Sequence, residues 1–318
     1  METLYIVGNG FDLHHRLPTT YVGFSEYLKR ENPAIYDIVT KVISYHYTDD
    51  NLWSCFEENL SYIDISYLDD HINEYIPCPA SDDYYKDLDA CTLEAQRMVG
   101  YLSNDLRNAF AEYIRKADSH QVGTEYLLNL DSGAFYISFN FTRTLEKNYG
   151  ISADNILYLH GTHDDKENII LGHAVDPETF REEQDDESPP EGLTPEQREQ
   201  WREYKADQYV PSLDEAREEL FSYYERTFKN VSETIKTHSS LFNRLVELKH
   251  IYILGHSMSD VDIEYFEAIK ERVPQHCQWY VSYYGAKEKA KFEDTLSWLG
   301  IPEHNYTLFE LASLKSGK

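Results

Sequence analysis

Short apolar runs recur along this chain, each closed by a glycine or a polar turn. Residues 4–7 run straight into Gly8-Asn9-Gly10, which predicts a buried strand turning sharply into a loop. Pro18-Thr19-Thr20 then precedes Tyr21, Phe24, Tyr27 and Leu28, whose steps of three and four predict a helix behind a threonine cap. Residues 135–139, 156–159 and 169–171 are rich in aromatic and branched side chains and predict three more strands. From residue 251 onward the pattern alternates: strand 251–254, helix 261–272, strand 279–283, helix 287–298, strand 306–311. That alternation predicts an α/β fold, a Rossmann-like and mostly parallel sheet flanked by helices.

Two stretches interrupt the plan. Residues 33–131 lack period-two strands and carry helical patterns, clearest over residues 87–116, where Cys91, Ala95, Met98, Leu102, Leu106, Phe110 and Tyr113 fall at steps of three and four. Residues 176–215 are acidic, hold five prolines and include the run Glu182-Glu183-Gln184-Asp185-Asp186-Glu187, which predicts a solvated, mobile surface insertion or lid. A long helical pattern over residues 212–248 follows, so the two insertions are expected at about 33–131 and 176–248 of a single α/β domain spanning residues 1–318.

Composition narrows the function. With 318 residues, 41% hydrophobic and 14% aromatic, the chain has the apolar surface to build a large core and is not an acidic disordered protein. Its 57 acids against 29 bases leave a net charge of −28, a field that repels phosphate backbones and anionic membranes, so no direct nucleic-acid or membrane partner is expected. Cys55, Cys78, Cys91 and Cys277 show no paired spacing, which argues against a zinc ribbon or a disulfide frame and fits a reducing, cytoplasmic setting. The opening Met-Glu-Thr-Leu-Tyr-Ile-Val has no export signal, and no apolar stretch is long enough to span a bilayer.

Loops after parallel strands gather at one edge of the sheet, where nucleotides bind, and four of them here carry unusual residues. Gly8-Asn9-Gly10-Phe11-Asp12 would let a backbone approach a diphosphate, but it lacks the third glycine of the dinucleotide fingerprint, and a plain strand-ending turn has the same composition. Asn140 follows a strand, where a turn or capping role is the ordinary one. His160 in Leu159-His160-Gly161 sits where a general base could, or where a histidine simply packs. His160, His163, Asp164 and His173 suggest a metal site only loosely, since no second cluster completes the set, and no metal is expected. Gly255-His256-Ser257-Met258-Ser259 approximates a nucleophile elbow without its last glycine, and little chain remains after Ser257 to complete a serine hydrolase.

Read in order, residues 6–13, 17–21, 139–146, 159–161 and 253–258 with Asp260 and Asp262 resemble the bacteriophage abortive-infection AbiH family over nearly the whole chain. That family is similar to a divergent branch of the sirtuin-like (DHS-like) NAD-binding fold. The resemblance implies that Asn140 and His160 are catalytic. It places Gly8, Asn9, Gly10, Phe11, Asp12, Pro18, Thr142, Gly161, Gly255, His256, Ser257 and Asp262 around an NAD molecule. The implied reaction is hydrolysis of the nicotinamide–ribose bond; the alternatives are a non-catalytic NAD or ADP-ribose sensor or scaffold in phage defence and, more distantly, a Ser257 hydrolase. The zinc-binding cysteine pairs of deacetylating sirtuins are absent, so peptide deacylation is not implied. An enzyme that consumes NAD must be restrained in an uninfected cell, so self-association or a phage-encoded trigger is expected.

Overall fold

The computed structural model describes residues 2–43, 52–78, 80–181, 192–208 and 210–315. Six strands, β1 (Thr3–Val7), β2 (Phe135–Ser138), β3 (Ile156–Tyr158), β4 (His250–Leu254), β5 (Gln278–Tyr283) and β6 (Tyr306–Glu310), form one wholly parallel sheet in the order β3-β2-β1-β4-β5-β6. This is the doubly wound Rossmann order. Leu4 and Ile6 face one side of β1 and Tyr5 and Val7 the other, and all four are buried, because a parallel sheet is covered on both faces.

The two faces are packed differently. On one, Leu4, Ile6, Ile251, Ile253, Trp279 and Val281 meet helices α13 (Ile263–Arg272) and α14 (Gly285–Trp298) through Phe266, Ile269, Phe292 and Leu296. On the other, parallel register aligns Tyr136, Tyr5, Tyr252 and Tyr280 into a row of stacked rings with centroids 4.9, 4.9 and 4.6 Å apart. Each such aromatic pair contributes ~0.5–1.5 kcal/mol beyond burial.

Between β1 and β2 the chain builds a helical layer with its own core. Its helices number on from α1 (Asn9–His14): α2 (Tyr21–Glu31), α3 (Pro33–Ile43), α4 (Phe56–Asn59), α5 (Ile65–Asn73), α6 (Ala90–Gly100) and α7 (Leu106–Asp118). Thr20 caps α2 by accepting from the Gly23 amide at 3.0 Å. The seven apolar positions of the 87–116 pattern are all buried, but α6 and α7 are joined by a π-helical turn, Tyr101–Asp105, that the spacing did not reveal. α8 (Thr144–Tyr149) follows β2, and later come α9 (Pro195–Gln208), α10 (Pro211–Arg226), α11 (Val231–Thr237) and α12 (Ser239–Phe242), with α10 lying along α6.

Four expectations need correction. Residues 169–171 form no strand: the Ile170 amide donates to the His160 carbonyl at 3.0 Å, and Ile169 and Leu171 sink into the helical core, so the apolar run marks a buried irregular segment. The 212–248 pattern is broken at Thr227, where α10 ends, Phe228 bridges to His173, and Asn230 caps a new helix by accepting from the Glu233 amide at 2.9 Å. The strand β1 passes into α1 at once rather than into an open loop. Part of the acidic segment is helical, as α9, while the 182–187 acidic run lies outside the described residues. Among the described residues no helix is long and apolar enough to cross a membrane.

Candidate functional site

The sheet order reverses direction between β1 and β4, and the carboxyl ends of those strands flank the place where doubly wound folds bind ligands. The two loops there interlock. The Gly8 amide donates to the Leu254 carbonyl at 3.1 Å and the Gly10 amide to the Gly255 carbonyl at 2.7 Å. A Cβ on Gly10 would lie 2.8 Å from the Gly255 Cα, and one on Gly255, whose φ is +64°, would lie 2.2 Å from the Phe11 nitrogen. The glycines therefore serve the close approach of one loop to the other, and the amides of Gly8 and Gly10 are spent on it. The Gly255 amide in turn donates to the Ser282 hydroxyl at 2.8 Å.

Asp12, on α1, is buried under this junction. Its carboxylate accepts from the Thr142 hydroxyl at 2.7 Å and from the Thr144 hydroxyl at 2.8 Å, and the Asn140 side chain also bonds to it. Burial pushes the Asp12 carboxyl up to about 7 against the pull of those bonds, with the nearby Asp118 charge adding to the rise. Asn140 itself is 5% exposed, and its backbone N–H donates to the Ser138 hydroxyl at 3.2 Å.

A second buried group of side chains lies beside the first. Phe139 and Phe141 bracket Asn140 in sequence and both rings meet the His160 imidazole, at 5.2 and 6.0 Å between centroids. His160 Nε2 is 3.4 Å from Asp262 Oδ1, and His256 Nε2 is 3.6 Å from Asp262 Oδ2. The Lys229 ammonium, with no exposed side-chain surface, lies 3.4 Å from Asp262 Oδ1 and 2.9 Å from Glu57 Oε1. The Glu57 and His160 contacts are too poorly aligned to be hydrogen bonds, and His160 Nε2 and Glu57 Oε1 are buried without one. His256 is fixed through Nδ1, which accepts from the Met258 amide at 2.9 Å.

The charges in this group are sorted by their neighbours. Burial would raise Asp262, but Lys229, His160 and His256 more than offset it and hold the carboxyl below its ordinary value. Burial and the Asp262 charge raise Glu57, and Lys229 reverses only part of that. Asp262 is thus the counter-ion of Lys229, and Glu57 is the acid that gives way. Burial, with Lys229 beside them, drives His160 down to about 3 and His256 down to about 4, so both imidazoles are neutral at pH 7.

The structure thus brings Gly8, Asn9, Gly10, Asp12, Asn140, Thr142, His160, Gly161, Gly255, His256, Ser257 and Asp262 to one edge. Phe11 is instead a core residue, fully buried against His15 and Tyr149. Pro18 is exposed on the loop after α1, next to Thr19, whose hydroxyl donates to Asn9 Oδ1 at 2.6 Å. Ser257 is exposed and no hydrogen bond joins its hydroxyl to a histidine among the described residues; the positive φ values of this turn fall on Gly255 and Met258, +64° and +46°, and not on the serine of the strained elbow. His163 and His173 point elsewhere: His163 Nε2 pairs with Asp118 at 2.8 Å, while His173 is buried among Phe180, Tyr224 and Phe228. Sequence reasoning missed Glu57, Thr144 and Lys229. Only Thr144 had a visible signal, its place two residues after Thr142 at a helix start.

Neither a curated protein nor a solved structure matches the chain. A family model described as Bacteriophage abortive infection AbiH matches residues 4–283, a span that holds every loop of the site. On that match the chain belongs to the AbiH family, and its role lies in bacteriophage abortive infection.

Proposed function

We propose that the chain acts in abortive infection by taking NAD at the β1–β4 edge and hydrolysing the bond between nicotinamide and ribose. The observation that carries this reading is the convergence of Asn140 and His160 from the ends of β2 and β3 onto the switch-point loops, with Nε2 of His160 buried and unpartnered. An orphaned buried nitrogen of this kind suits a ligand hydroxyl. Asn140, held by Asp12 and Ser138, would orient the ribose or the attacking water, and neutral His160 would accept the proton that the water or a ribose hydroxyl gives up. The balance is simple: water adds to the ribose carbon, nicotinamide departs with the bonding electron pair, and ADP-ribose and one proton remain. Since the Gly8 and Gly10 amides are already engaged, phosphate contacts would fall to the exposed parts of Asn9 and Ser257.

A second reading, a nucleotide sensor or scaffold without turnover, is favoured by one observation: Asn140, His160, His256 and Asp262 are all buried, so the arrangement described is closed. Entry of a nucleotide would need these buried groups to separate, and a phage-encoded trigger or self-association would act by favouring that opening. Incubation with NAD, followed by chromatography of nicotinamide and ADP-ribose, separates the two readings when Asn140→Ala and His160→Ala are run beside the wild type. Turnover lost in both variants establishes hydrolysis at this site; turnover unchanged in His160→Ala overturns the assignment. Stabilisation by ADP-ribose without turnover supports the sensor.

A further inference from the structure

A cavity of about 220 Å³ lies between the π-helical turn, residues 167–171 and residues 226–228, its wall at Asn168–Ile170 backing onto the His160–Gly161 loop and its lining sharing no residue with the sheet-edge site. Its walls are held by close backbone approach. The His173 amide donates to the Thr227 carbonyl at 2.9 Å, and a Cβ on Gly172 would lie 1.7 Å from that carbonyl oxygen. Two arginines are among the residues lining the cavity, Arg107 from α7 and Arg226 from the end of α10. Arg226 already pairs with Glu219 at 2.7 Å. Arg107 has no carboxylate partner among the described residues; Nη2 donates to Asn104 Oδ1 at 2.8 Å, and Nε is buried with no acceptor.

In a chain with 57 acids, a half-buried guanidinium left without one is a specific arrangement, because an unmet charged donor costs free energy until an acceptor arrives. The lining acid, Glu167, is exposed to solvent. One carboxylate would satisfy one guanidinium fork. To satisfy Arg107 and also draw Arg226 from Glu219 calls for a group with more charge and more acceptor oxygens, and a phosphate monoester supplies both. The π-helical turn that forms one wall belongs to a class that concentrates at functional sites.

We propose that this cavity is a second site, independent of the NAD reading, which takes the phosphate of a small phosphorylated molecule no larger than a mononucleotide, with Arg107 and Arg226 as its cations. The test is calorimetric titration of the full chain with inorganic phosphate and with AMP, for wild type, Asn140→Ala, Arg107→Gln, Arg107→Lys and Arg226→Gln, with far-UV circular dichroism to establish that each variant is folded. The expected result is binding of at least one probe that survives in Asn140→Ala and weakens about tenfold or more in Arg107→Gln and Arg226→Gln. Arg107→Lys, which keeps the charge and loses the fork, should fall between, and with Arg226→Gln it carries the test if Arg107→Gln does not fold. Absence of binding by both probes in the wild type, or an affinity unchanged in the folded arginine variants, overturns the proposal.

Discussion

Replacing Asp12 by Asn should stabilise the protein, and more so as the pH rises. The carboxyl titrates at about 7 in the folded chain against an ordinary value of 3.8. Below pH 3.8 both states hold the proton and the group contributes no pH-dependent term. Between 3.8 and 7 the folded chain retains a proton that the unfolded chain has released, so stability falls by about 1.4 kcal/mol per pH unit as pH rises, and it levels off above 7. From pH 5 to pH 8 that amounts to about 2–3 kcal/mol. Asn reproduces the shape and hydrogen-bonding capacity of the neutral acid beside Thr142 and Thr144 and does not titrate. Urea unfolding of wild type and Asp12→Asn at both pH values isolates this term, since every other titrating group is common to the two proteins. The stability difference should move in favour of Asn by about 2–3 kcal/mol between pH 5 and pH 8. A difference that stays constant across that range refutes the picture of a buried carboxyl kept neutral by its surroundings.

Other expectations concern the second buried group and the interlocked loops. Lys229→Met strands Asp262 and Glu57 without their cation and should cost about 3–5 kcal/mol at pH 8 in urea unfolding; the double variant with Glu57→Gln should recover part of the loss, and no recovery would separate Glu57 from the pair. His256 is held at about 4 against an ordinary 6.5, so its contribution is complete above pH 6.5 and is lost as pH falls toward 4, the reverse of Asp12. His256→Asn should therefore flatten the acid limb of the stability profile by up to about 1.4 kcal/mol per unit, and a variant profile parallel to the wild type contradicts this. Gly255→Ala forces a side chain onto a left-handed backbone 2.2 Å from the Phe11 nitrogen and should cost about 3 kcal/mol or more, read as a lowered urea midpoint; an unchanged midpoint would mean that the loops are not interlocked.

The parts of this molecule that were legible in the sequence are those whose physics is local. Six of the seven runs expected as strands form the sheet, and the helical stripe from Cys91 to Tyr113 is buried as its spacing required. The run 169–171 misled because a buried irregular segment needs the same apolar side chains as a buried strand, and only pairing tells them apart. The break before α11 was signalled by Asn230 with Glu233 three residues on, a capping pattern hidden inside a run without glycine or proline. Lys229 and Glu57 had no local mark at all. A buried ion pair is written with the same letters as a solvated one, and among 57 acids and 29 bases nothing in the order of residues distinguishes them. The row of four stacked tyrosines depends on register between strands far apart in sequence, which periodicity does not carry.

The position of Lys229 ties access to chemistry in the reading proposed above. Its ammonium shares Asp262 with His160, and its field adds to burial in depressing the imidazole to about 3, where His160 is neutral but a poor base. The same ammonium also meets Glu57 at 2.9 Å, in the buried group that adjoins His160. Moving Lys229 away would remove a positive neighbour from the imidazole proposed as the base. Each unit by which His160 rises toward its ordinary 6.5 recovers about 1.4 kcal/mol of proton affinity, so the closed arrangement is weak in basicity as well as inaccessible. On the proposed reading, restraint in the uninfected cell would come in part from Lys229 itself, whose charge keeps the proposed base weak while the buried group is intact.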